Sequence, residues 1–255
     1  MTAISAPELV DKYIKVDALN LRYLEAGSGA PLLLLHGASL GSSADVFRRN
    51  IAALADKGFR AIAFDYPGFG LTELPSDFSV PYRRGFIAKF IDALGLEKVG
   101  LIAHSQSGGL AVQVALAEPH RYTGVFILGT GSLLPPLPES TTDTSEVPAR
   151  RDPAKPPTEP TVDTTRRLLE SQLYHHDLIT DAELQLRFER SIGNPFKAHV
   201  ERWKLSNQQS GSKSSASSAP ARPIWEQLGE LVMPLLMIYG REDRAEAAAR
   251  ATYFK

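Results

Sequence analysis

Ser105 stands in LIAHSQSGG, Leu101 to Gly109, between an apolar run and a string of small residues. A serine on a tight strand-to-helix turn needs small neighbours, because the backbone there is strained and closely packed. The usual form of such a turn is G-x-S-x-G; here Ala103 and Ser107 hold the outer positions, small but not glycine. The turn also aims a helix N-terminus at whatever lies over the serine, so backbone N–H groups can hold an oxyanion. An ordinary serine capping a helix is the alternative reading of the same five residues. Three further stretches bear on the choice. LLLLHGAS puts His36 and Gly37 after one buried run, where an oxyanion loop should lie, and FDYPGFG forms a tight turn after the next. LMIYGREDR puts Asp243 just past a late apolar run, in the chain order serine then acid. Four such stretches in order favour the nucleophile.

A serine hydroxyl at its free pKa is a weak nucleophile and needs a general base, almost always histidine in such a site. The histidines are His36, His104, His120, His175, His176 and His199. His36 belongs to the oxyanion loop, and His104 is expected to point to the opposite strand face from Ser105. His120 follows a helix end, His175 and His176 lie among helical residues further on, and His199 sits in a polar helix. None has the spacing of a metal site such as H-E-x-x-H.

These residues need a scaffold, and the first 130 or so residues supply one by alternation. PLLLLHG, FRAIAFDYPGFG, VGLIAHS and YTGVFILGTG read as buried strands; ADVFRRNIAALADKG, YRRGFIAKFIDALGL and GGLAVQVALAEPH read as the helices between them. Repeated β-α-β-α units imply right-handed crossovers and a mostly parallel sheet with helices on both faces. From Leu133 to Thr165 the chain is rich in Pro, Ser and Thr and reads as an extended surface segment. Helical patterning returns until about Trp203; SNQQSGSKSSASSAPARP then reads as a loop. IWEQLGELVMPLLMIYGREDR resumes with a helix, a buried strand at Leu235 to Tyr239 and a turn, and RAEAAARATYFK reads as a helix. The expected organisation is an α/β core in two parts, residues 1–132 and 224–255, with residues 133–223 inserted as a helical lid.

Bulk composition excludes several classes. The net charge of −1 gives no footprint for nucleic acid or an anionic membrane. With no cysteine there is no thiolate chemistry or disulfide framework, and no run of about 18 apolar residues occurs. The N-terminus lacks the layout of a signal peptide, so a cytoplasmic location is expected.

With HGAS, DYPGFG, AHSQSGG and GREDR in this order, the chain resembles the α/β-hydrolase superfamily over nearly its whole length. LYHHDLITDAELQLRFERSIGNP, RYLEAG and LGEL…GREDR narrow the resemblance to the meta-cleavage product hydrolases. Those enzymes cleave a carbon–carbon bond in vinylogous 1,5-diketone acids made by ring-opening catechols. The resemblance implies Ser105 as nucleophile or water-orienting group, Asp243 as the acid that orients a histidine, and Ala38 and Gln106 N–H groups as the oxyanion hole. It implies Arg187 as the partner of the substrate carboxylate, a role suited to a planar guanidinium; a solvated helix arginine beside Glu183 or Glu189 is the alternative. Ser39, His104 and Asp177 fall at substrate-lining positions. His104 replaces an Asn of the family and is common in esterases. The family's Gly-Gly-Gly-Pro-Gly loop is here Gly37-Ala38-Ser39-Leu40-Gly41.

The resemblance places the triad histidine well beyond the acid, whereas this sequence stops at Lys255 with no histidine after Asp243. It is therefore expected to be a C-terminal truncation of a longer enzyme. The expected reaction is water addition to a keto group after ketonisation of the dienol, releasing a carboxylic acid and a dienoate. No metal or organic cofactor is implied; the partners are a small-molecule acid or ester and a second copy in a homodimer or homotetramer. A carboxylesterase or lactonase is the neighbouring alternative, and a non-catalytic ligand-binding member lacking the triad histidine the alternative from another class.

Overall fold

The computed structural model describes residues 9–136, 155–211, 222–240 and Asp243. Apolar runs too short for helices become strands of a single sheet: β1 Lys12–Val16, β2 Leu19–Ala26, β3 Ala30–Leu35, β4 Phe59–Phe64, β5 Val99–His104, β6 Tyr122–Leu128 and β7 Leu235–Ile238. The spatial order is β1-β2-β4-β3-β5-β6-β7. From β4 to β7 all neighbours are parallel, and β1 and β2 are attached antiparallel at one side. That antiparallel pair was not legible in the sequence. Its turn uses Asp17 at φ 53°, a conformation in which Asp costs less than most residues.

The crossovers are α1 Arg48–Asp56, preceded by a 3-10 turn Ala44–Phe47, then α2 Val80–Ala93 and α3 Gln106–Ala117. α2 starts where its apolar face begins because Ser79 Oγ accepts the Tyr82 N–H and Pro81 occupies the first turn. Phe86, Ile87, Phe90 and Ile91 of α2 are fully buried with Leu33, Leu35, Phe64, Leu101 and Ala103. Burial of this size is the main stabilising term, roughly 1.5–3 kcal/mol for each large apolar side chain.

Between β6 and β7 come α4 Val162–Glu170, a 3-10 turn His176–Leu178, α5 Asp181–Glu189 and α6 Asn194–Gly211. Thr161 and Thr164 form a reciprocal capping box at the start of α4, and Thr180 caps α5. Helix α6 corrects the sequence reading, since it runs through Ser206 to Gly211 rather than ending near Trp203. Ile224–Glu230 is a 3-10 helix, and β7 is half-buried, with Leu236 and Ile238 exposed. Most of the Pro-, Ser- and Thr-rich segment, the rest of the Ser-rich one and the helix read in RAEAAARATYFK lie outside the described residues.

Candidate active site

The strand-to-helix turn at Ser105 has the strain that its sequence implies. Ser105 sits at φ 56°, ψ −128°, between the end of β5 and the first residue of α3. Its N–H donates to Leu128 O at 2.9 Å and its carbonyl accepts from Gly108 N at 2.9 Å, which hold the turn against both β6 and α3. Close packing explains the small residues around it. A Cβ on Gly108 would lie 2.8 Å from Thr130 Cγ2 and 2.9 Å from Ile127 Cγ2, so here the glycine comes three places after the serine.

Gly37 is the floor in front of the serine. A Cβ there would lie 3.1 Å from Ser105 Cβ, 3.6 Å from Ser105 Oγ and 3.3 Å from His104 Nδ1. The exposed His104 ring and the Ser105 hydroxyl therefore border the same space, against the expectation that they face apart. Strand alternation fails at this step because Ser105 has left the extended conformation.

The two amides expected to form an oxyanion hole belong to Ala38 and Gln106. Gln106 opens α3, and the first amides of a helix have no internal acceptor. Ala38 follows Gly37, beyond the end of β3. His36 fixes this loop: its Nδ1 lies 2.7 Å from Gly37 O and its Nε2 accepts the Tyr66 N–H at 3.2 Å. Burial, with nearby Arg83, Arg187 and Arg202, pushes its pKa down to about 3. A neutral ring with both nitrogens committed is structural. Ser107 Oγ donates to His36 O at 2.5 Å and lies 3.3 Å from the Tyr66 hydroxyl, which ties α3 to the loop.

Asp243 reaches the same end of the sheet. Leu128 and Ile238 are in parallel register, Gly129 N donates to Ile238 O at 2.9 Å, and a Cβ on Gly129 would lie 3.4 Å from Asp243 Oδ2. The other residues of GREDR apart from Gly240 lie outside the described residues.

Arg187 on α5 is buried, and its Nε and Nη2 have no hydrogen-bond partner. Burial pushes its pKa down to about 10, which leaves it charged at neutral pH. It closes onto the loop at Gly41 (φ 77°), where a Cβ would lie 2.3 Å from Ser191 Oγ and 2.9 Å from Arg187 Cδ. Only glycine allows that approach. Ser39 Oγ accepts from Gln172 Nε2 at 2.9 Å, so its hydroxyl meets the helical segment. Asp177 is exposed in the 3-10 turn His176–Leu178.

The sequence reading missed the polar supports. Arg22, wholly buried on β2, donates to Asp11, Asp45 and Asp65 at 2.6–3.3 Å. Asp45 also accepts Arg48 Nε at 2.8 Å and Arg190 Nε at 2.9 Å. Against the effect of burial, Arg22 and Arg190 hold its carboxyl well below the usual range. Asp65 of DYPG accepts Ala44 N at 2.6 Å and Leu71 N at 2.8 Å, and burial raises its pKa to about 6 against the pull of Arg22. Arg83 Nη2 donates to Gln106 Oε1 at 2.6 Å. Asp65 directly after the apolar run FRAIAF was the available signal, but the pairing partners are far away in sequence.

A family model described as alpha/beta hydrolase fold matches residues 30–253, so the chain belongs to that family. Within it, the chain is similar to 2-hydroxy-6-oxo-6-phenylhexa-2,4-dienoate hydrolases. One from Burkholderia cepacia is 30% identical over 230 residues, covering 86% of this chain and 73% of the relative. Another from Comamonas testosteroni is 29% identical over 234 residues, covering 88% and 75%. The solved structure of such a hydrolase from Rhodococcus sp. strain RHA1 superposes with a TM-score of 0.72 at 25% identity, covering 96% of this chain and 86% of that one.

Among the described residues no group of three or more His, Cys, Asp or Glu could hold a metal ion, and no helix is long and apolar enough to cross a membrane.

Proposed function

We propose that the protein hydrolyses a carbon–carbon bond in vinylogous 1,5-diketone acids, the ring-opened products of aromatic compounds. The observation that carries this reading is Arg187, a buried guanidinium with two unpaired nitrogens beside the oxyanion loop. A buried cation without a partner costs several kcal/mol, and a substrate carboxylate would offset that cost by bidentate pairing. Relatives named as hydrolases of 2-hydroxy-6-oxo-dienoates support it, since those substrates carry the acid next to the dienol.

In this reading the carboxylate pairs with Arg187 and the keto carbon lies over Ser105. The Ala38 and Gln106 amides receive the oxyanion that forms when Ser105, or a water it orients, attacks. Ketonisation precedes the attack, so that the departing carbon leaves as a stabilised dienolate. Asp243 orients and charge-stabilises the proton-carrying base. None of the six histidines in the sequence is assigned to that place: His36 is committed to the loop, and none follows Asp243. Ser39, His104 and Asp177 are assigned to the substrate's surroundings, and residues 133–223 to a lid.

One observation favours a second reading, hydrolysis of esters or lactones. His104, which borders the same space as the Ser105 hydroxyl, gives a polar edge there that suits an ester.

Turnover of 2-hydroxy-6-oxo-6-phenylhexa-2,4-dienoate and of p-nitrophenyl acetate separates the two. The expected result is preference for the dienoate and, in Arg187→Met, a rise in its KM of about 100-fold with ester turnover unchanged. Faster ester cleavage, or equal loss on both substrates, would refute the proposal.

A further inference from the structure

Next to the nucleophile, an exposed glutamine is tied to a buried cation. Gln106 is exposed, yet its Oε1 accepts from Arg83 Nη2 at 2.6 Å. Arg83, on α2, is 7% exposed, its Nε has no partner, and among the described residues it forms no ion pair. Burial pushes its pKa down. Its guanidinium carbon lies 5.7 Å from the Tyr66 ring centroid and 5.9 Å from that of Phe69. Contact with aromatic faces offsets only part of the desolvation of a guanidinium. Elsewhere the same fold matches its buried arginine with acids, since Arg22 meets three carboxylates. A side chain that costs stability in order to bind one exposed carboxamide needs a reason other than stability.

The reason lies in what that carboxamide would do if it were released. The first N–H groups of α3 have no acceptor within the helix. At most helix starts a side-chain oxygen takes one of them, and a glutamine in the first turn can reach back to a backbone N–H. Ser105, at the N-cap, makes no such side-chain bond. Gln106 Oε1 is then an acceptor carried by the same residue whose N–H is assigned to the oxyanion. A cationic donor holds a carbonyl oxygen roughly twice as strongly as a neutral amide does, so Arg83 wins that oxygen.

We propose that Arg83 is a positioning residue for the oxyanion hole: it holds the Gln106 carboxamide away from the N–H groups that open α3 and so keeps them free for the substrate oxyanion. This rests on the hydrolase reading above and adds to it a residue that touches no substrate. Arg83 acts through Gln106 alone, at the step in which negative charge develops on the attacked carbonyl oxygen. Its work is the same for a dienoate and for an ester, because both pass through that oxyanion.

The test is steady-state turnover of 2-hydroxy-6-oxo-6-phenylhexa-2,4-dienoate and of p-nitrophenyl acetate by Arg83→Met, Arg83→Lys and the double variant Arg83→Met/Gln106→Ala. Arg83→Met should lower kcat about tenfold on both substrates, less than the roughly 10²-fold loss of a donor outright, with KM changed by less than about twofold. Arg83→Lys keeps a charged donor for Oε1 and should stay within about threefold of the unaltered protein. The double variant has no carboxamide left to compete and should recover most of the lost kcat. A merely structural Arg83 predicts the opposite, since a second truncation cannot repair a damaged fold. An unchanged kcat in Arg83→Met, a loss seen in KM instead, or a double variant no faster than Arg83→Met overturns the proposal. If only the ester is turned over, the carbon–carbon reading falls and the same comparison on the ester still decides the role of Arg83. An unaltered protein inert on both substrates overturns both.

Discussion

Ser105 stores strain in order to present its hydroxyl. A non-glycine residue at φ 56°, ψ −128° costs on the order of 1–3 kcal/mol, and hydrogen bonds to Leu128 and Gly108 hold it there. Glycine adopts that conformation freely, whereas alanine does not. Ser105→Gly should therefore be more stable than Ser105→Ala by about 1 kcal/mol in denaturant unfolding, and both should lose turnover. Equal midpoints would mean that the turn is unstrained.

At the scale of elements, α3 must lie close to β6 for the serine to emerge at the right height. Gly108 permits this, and Gly108→Ala should cost about 1–3 kcal/mol by pushing into Thr130 and Ile127. Gly109→Ala, whose Cβ would meet only Ser132 Oγ at 3.4 Å, is the control and should be near neutral. The parallel strands were legible because PLLLL, FRAIAF and VGLIAH are apolar on both faces, as a sheet covered on both sides requires. The β1–β2 pair was not, because KYIKV and LNLRYLEA mix charged residues into the run, one of them the wholly buried Arg22. The places of Ser105, Gln106, Ala38 and Asp243 in the fold could be read in advance because each follows locally from a strand end. Those of Arg83, Asp45 and Arg190 could not. Their roles arise from contacts across the fold, the Asp45–Arg190 pair spanning 145 residues.

Over the whole molecule, two buried titratable groups set opposing slopes in stability against pH. His36 is neutral when folded, with a pKa near 3 against 6.5 for the free group, so its contribution is present above about 6.5 and is lost as pH falls. Asp65 is raised from 3.8 to about 6, so its contribution is present below 3.8 and is lost as pH rises through about 6. Between about pH 5 and 6 the two oppose each other, each at up to roughly 1.4 kcal/mol per pH unit. Chemical unfolding across that window should show a steeper loss on acidification in Asp65→Asn and a reversed slope in His36→Asn. Parallel curves for all three proteins would refute the assignment. Asp45→Asn should cost about 3–5 kcal/mol at pH 7, because Arg22, Arg48 and Arg190 lose one shared carboxylate.

That shared carboxylate limits how the molecule can be recombined. Asp45 binds Arg22 of the core sheet through both oxygens and Arg190 of the helical segment through Oδ2. A segment exchanged from a relative would have to bring a cation to the position of Arg190, or leave a scaffold acid under-neutralised. Chimeras with helices between β6 and β7 from other hydrolases should therefore sort by that one residue before they sort by substrate.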